Sequence, residues 1–137
     1  MKLNYLVAVA FFALSQPALT AEKHGDAHAT HGGVAAEAGA YHLELVVKDK
    51  VLTVYANDHD NKPLDVKTAK AQANIFSGKD KAVIELKPGS LNVMAGETAF
   101  PIKPDAKIVV SLTLSGKKTE QVRFSLGAKQ KHKGHKH

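Results

Sequence analysis

From Ala40 onward, apolar and polar positions alternate with the period of an extended strand, not that of a helix. In YHLELVVK, Tyr41, Leu43, Leu45 and Val47 point one way, and His42, Glu44 and Val46 the other. VLTVYAND repeats the alternation, with Leu52, Val54 and Ala56 set against Thr53, Tyr55 and Asn57. Only Asp49 and Lys50 separate the two runs, which predicts a hairpin. The turn lacks the favoured glycine, so a loop one or two residues longer is also compatible. In this register His42 falls opposite Asn57, next to Asp58 and His59.

The turn formers of NDHDNKP, Asn57 to Pro63, then break the pattern. Val66 to Phe76 suits a helix by its alanines and lysines, but ANIFSG ends as a strand does before a glycine turn, and strand is the reading taken. KAVIELKP, SLNVMAG, AKIVVSLTLSG and KTEQVRFSL add further strands, with FPIKPD as a proline-rich edge or loop. Turn signals at about ten-residue spacing predict an all-β fold, a small antiparallel immunoglobulin-like β-sandwich of about seven strands. Its expected core is Leu43, Leu45, Val47, Leu52, Val54, Ile75, Ile84, Leu86, Leu91, Val109, Leu112, Leu114, Val122, Phe124 and Leu126.

What precedes the strands changes the picture. Residues 1–21 carry Lys2, the unbroken apolar run Leu6 to Leu14, Pro17 and a small residue at Ala21, the layout of a secretory signal peptide. The apolar run is too short for a membrane span of roughly 20 residues, and no second one follows, so an integral membrane protein is not expected. The predicted organisation is therefore a signal peptide at 1–21, a His-rich segment at 22–39, the β-sandwich at 40–127 and a basic His/Lys-rich tail at 128–137. Both His-rich termini are expected to be disordered, and the location periplasmic.

Charge and composition narrow the function. The chain has no cysteine, so thiolate chemistry and disulfides are excluded. The net charge of +6 is concentrated in KQKHKGHKH, Lys129 to His137. Nucleic acid is not expected, because there is no tryptophan and Arg123 is the only arginine. No GxSxG, P-loop, Rossmann glycine pattern or HExxH occurs, so the chain does not read as an enzyme.

The histidines carry the chemistry. His24, His28 and His31 precede the strands, His42 lies on the first, His59 sits in DHD, and His132, His135 and His137 lie in the tail. Imidazole is the commonest metal ligand. Without thiolates, a nitrogen and oxygen site for Zn(II) or Cu(II) is the chemistry available. The expected constellation joins His31 and His42, with Glu44, Asp58 or His59 as further ligands and His24 and His28 contributed by the leading segment. The plainer alternatives stand beside it. His42 is then a solvent-facing strand residue paired with Glu44, His59 an ordinary turn residue, and Gly32–Gly33 a hinge.

The order HGG, a short spacer, YHLELV, a short hairpin and LTVYANDHDNKPL resembles the small β-sandwich domain associated with heavy-metal efflux adaptors, and a group of exported Gram-negative proteins. VSLTLSGKKTEQVRFSL extends the resemblance, which covers about Thr30 to Leu126. It implies a free-standing periplasmic protein linked to copper, zinc or cobalt handling, with His31 and His42 at the motif positions and a metal-efflux complex as partner. Two functions follow as expectations: a divalent-metal binding or buffering module, and a non-metal envelope interaction module with a cationic tail.

Overall fold

The computed structural model describes residues 27–127. The expected signal peptide, His24 and the basic tail with His132, His135 and His137 lie outside the described residues.

Among the described residues, alternation in the sequence becomes eight strands: β1 (Val34–Ala38), β2 (Tyr41–Lys48), β3 (Val51–Asp58), β4 (Lys70–Ser77), β5 (Asp80–Pro88), β6 (Val93–Glu97), β7 (Lys107–Thr113) and β8 (Glu120–Ser125). They pair antiparallel throughout, in the order β1-β2-β3-β6-β5-β4-β7-β8. The β5–β6 pairing is short, limited to Lys87 with Ala95 and Pro88 with Met94. It joins β1-β2-β3-β6 to β5-β4-β7-β8. β1 lies alongside β8 at the other end, so the sheet nearly closes on itself and leaves little open edge. Among the described residues there is no helix, and so none long and apolar enough to cross a membrane.

The β2–β3 hairpin turns on Asp49 and Lys50 alone, with Lys48 opposite Val51. Asp49 takes the left-handed conformation a glycine would otherwise supply, at φ 54°. The longer loop is therefore not needed, and His42 lies opposite Asn57 as expected.

The inward face of each strand fills one core. Leu43, Leu45, Leu52, Val54, Ile75, Leu86, Met94, Ile108, Leu112 and Phe124 are almost fully buried. Each such side chain contributes about 1.5–3 kcal/mol of burial, which holds the domain together without a disulfide.

Three expectations need correction. Among the described residues the strands number eight, because VAAEA at Val34–Ala38 pairs with β2. The folded part thus begins inside the segment expected to precede it. In β7 the inward residues are Ile108, Val110 and Leu112, while Val109 sits between them on the outer side and is only half-buried. Leu91 is not core. It is 60% exposed, in a turn at φ 52°, and β6 starts two residues later at Val93.

Candidate functional site: a buried carboxylate and two anchored histidines

His42 and Glu44 project from the outer face of β2, where strand alternation would leave them in water. Both are instead buried, at 5% and 4% exposure. Two pieces of chain outside the strand cover them.

Residues Thr30 to Gly33 lie over Glu44. Its Oε1 accepts from the Thr30 N–H at 2.9 Å and from the His31 ring at Nδ1, 2.8 Å away. Its Oε2 accepts from the His31 N–H at 2.8 Å and the Gly33 N–H at 2.9 Å. The two glycines of HGG make this approach feasible for different reasons. Gly32 turns the chain at φ 77°. Gly33 has no room for a side chain, since a Cβ there would overlap the Leu45 carbonyl.

Burial pushes the Glu44 carboxyl up, but the His31 ring and the N–H groups of Gly33, His31 and Thr30 outweigh it and hold the group below its ordinary 4.5. A carboxylate of lowered pKa stabilises the fold above its unfolded value and loses that contribution as pH falls through its folded value. Urea unfolding is therefore expected to show stability falling as the pH is lowered below 4.5. Glu44→Gln should remove that part of the acid dependence.

The same contacts orient His31. Its ring lies flat on Tyr55, with centroids 3.6 Å apart and planes 4° from parallel. With Nδ1–H given to the carboxylate, the neutral ring keeps its lone pair on Nε2. The side chain is 44% exposed and lines an open cleft of about 390 Å³ with His28, Thr30, Asn57, Asn61, Pro63 and Asn92.

His42 is anchored in the same way by a different element. The loop after β3 brings Asn61 over the ring, and Nδ1 lies 2.8 Å from its Oδ1. Nε2 stands 3.9 Å from Glu37 Oε1, and His42 lines a separate cleft of about 170 Å³ with Glu37, Gly39, Ala40 and His59. Asp58 shapes the loop, with Oδ1 accepting the N–H groups of Asp60 and Lys62 at 2.9 Å each. The Lys62 N–H above all holds its carboxyl below the ordinary value. His59 is exposed, with Nε2 3.5 Å from Asp60 Oδ2.

The residues singled out in the sequence thus divide. His28 and His31 share one cleft, and Glu44 sits beneath it. His42 and His59 share the other. His31 and His42 line different clefts. Asp58 is engaged as a turn cap. Among the described residues, no group of three or more His, Cys, Asp or Glu side chains is placed so that it could hold a metal ion. Glu37 and Asn61 escaped sequence reasoning. Glu37 meets His42 only through the β1–β2 register, and Asn61 reaches His42 across 19 positions. A larger depression of about 590 Å³, lined by Lys70, Gln72, Glu85, Ser111 and neighbours, contains no histidine.

No protein-family model matches the chain, and no curated protein or solved structure is detectably similar to it.

Proposed function

We propose that this chain is an exported, periplasmic module that binds or buffers a divalent transition metal, Zn(II) or Cu(II), as part of heavy-metal handling or efflux. The observation that carries the reading is the Glu44–His31 pair. A metal-binding histidine characteristically gives its second ring nitrogen to a carboxylate or carbonyl, which fixes the ring and raises its basicity. His31 has that arrangement, with further immobilisation on Tyr55. Glu44 is then the holder of a ligand, since both its oxygens are already engaged. His31 Nε2 is the first ligand, His28 on the same cleft the second, and His24, four positions before His28, the third. The fold reading that accompanies this proposal is an immunoglobulin-like sandwich to which β1 adds a strand.

Calorimetric titration of the protein with zinc is the test. His31→Ala is expected to weaken the ordered binding step by about tenfold or more, the scale on which removing even a ligand's supporting partner acts. Binding should also weaken on acidification, because protonated imidazole has no lone pair to give. Zinc binding that His31→Ala leaves unchanged would remove the reading.

A second reading is an envelope interaction module. It draws on Val83 and Phe76, exposed at 66% and 44% on neighbouring strands β5 and β4. It gains if no His31-dependent zinc step is found.

A further inference from the structure

We infer that the outer face of β5-β4-β7-β8, at the end that carries the Gly78–Lys79 turn, docks onto a bilayer surface rich in anionic phospholipid. The inference gives an occupant to the exposed Val83 and Phe76 on which the second reading draws, and it does not depend on metal binding.

The four strands carry their outward residues in register. One row runs Lys81, Phe76, Lys107 and Ser125, and the next Val83, Asn74, Val109 and Arg123. Ile75, Ile108 and Phe124, which lie between the rows, point into the core, so alternation fixes both rows on the outside. Phe76 thus stands between two lysines, with Val83 diagonal to it across the strands. They are 44% and 66% exposed, and Lys81, Lys107 and Arg123 are exposed around them.

The turn adds Lys79 to this end, and Lys103 lies beside it, its N–H donating to Ser77 Oγ at 2.9 Å. Asp80 and Asp105 are the acids nearby. Among the described residues, none of Lys79, Lys81, Lys103, Lys107 and Arg123 is in an ion pair. Charge outside the described residues has the same sign. β8 ends with Ser125 opposite Lys107, and Gly127 lies against Asp105. From there the sequence continues with Lys129, Lys131, Lys133 and Lys136 and no acidic residue.

Charge on an edge strand commonly guards it against pairing, which accounts for Arg123 on β8 and for Lys81 on β5, unpaired with β6 before Lys87. It does not account for Phe76 and Lys107, on the interior strands β4 and β7. A bilayer interface satisfies both kinds of side chain at once. Phosphates meet the cations, and the acyl boundary just beneath takes up Val83 and Phe76. Lysine stems lie along apolar surface while their ammonium groups stay with phosphate and water. Nucleic acid would set phosphates against Val83 and find one arginine. The far end of the same face does not fit lipid, because Gln72, Ser111 and Gln121 stand there with Glu85 around the larger polar depression.

The experiment uses the full chain carrying Phe76→Trp, which places one indole in a protein that has no other. Vesicles of phosphatidylcholine with an equal share of phosphatidylglycerol are the probe, and phosphatidylcholine alone the comparison. Residues 1–21 are common to every arm, so only the difference between lipids and between variants is read. The indole emission is expected to shift to the blue with the first vesicles and not the second, and added salt should reverse the shift. Lys81→Gln with Lys107→Gln, both at exposed positions, should weaken partitioning by about 25-fold, roughly fivefold for each charge. Val83→Ser should weaken it with the salt dependence unchanged. An equal shift with both lipids would overturn the inference, as would partitioning that the double lysine substitution leaves unchanged. A shift caused by inorganic phosphate or polyglutamate, and not by vesicles, would also overturn it. The polyglutamate result would leave the second reading standing, with an acidic protein as the occupant.

Discussion

Glu44→Ala is expected to destabilise the protein by about 3 kcal/mol, the worth of one or two hydrogen bonds to a charged acceptor. The carboxylate accepts from three backbone N–H groups and one imidazole. Hydrogen bonds to a charged acceptor contribute about 1.5–3 kcal/mol each. They do not sum here, because Thr30 to Gly33 can lift off and return their donors to water. That escape sets the lower value, and it predicts how the loss will look. The segment before β1 should exchange its amide hydrogens rapidly in the variant, while β4 and β7 stay protected. Against a total stability of about 5–15 kcal/mol, the effect is large for a residue on an outer face. The same substitution removes what orients His31, so zinc affinity should fall about 10–100-fold. Urea unfolding, hydrogen exchange and zinc titration on one variant check all three. Unchanged stability would mean that the carboxylate holds nothing.

Gly33→Ala carries the second large effect, also near 3 kcal/mol, at the upper end of ordinary overpacking. The added Cβ would overlap the carbonyl of Leu45 and press on Val46 Cγ2. Leu45 is a buried residue of β2 paired with Val34 and Val54, so its backbone cannot retreat. The strain is relieved by moving the start of β1 and, with it, the amides seated on Glu44. Loss of the His31 ring from Tyr55 should be visible as changed ring-current shifts. Gly32→Ala makes the control. Its Cβ meets nothing within 4 Å, and its cost is that of a left-handed backbone, about 1–2 kcal/mol. If Gly33→Ala proves as mild as Gly32→Ala, Gly33 is not packed against β2 as described.

How these residues came to be overlooked or noticed follows from the range of the forces that place them. Strand alternation is local. It showed that Leu43 and Leu45 face the core and that His42 pairs with Asn57, and the structure agrees. It could not show that VAAEA is a strand. Its alanines carry no strong strand preference, and strand preference measures packing against neighbours more than an intrinsic tendency. Those neighbours are β2 and β8. Val109 was misplaced for a related reason. In KIVVSLT every residue from Ile108 to Val110 is apolar, so alternation does not say which face is inward.

The sequence by itself determined an all-strand body, a hairpin around Asp49–Lys50 whose exact length it left open, and the supply of imidazoles without thiols. These depend on neighbours a few positions apart, or on composition alone. Only the tertiary structure decided that the sheet formed by the described residues has eight strands and nearly closes. Only it buried His42 and Glu44, divided His31 from His42, and set Glu37 opposite His42. The physical reason is that burial on an outer face is conferred by whatever chain folds over it. Here the covers come from 13 and 19 positions away, and no periodicity within a strand records them.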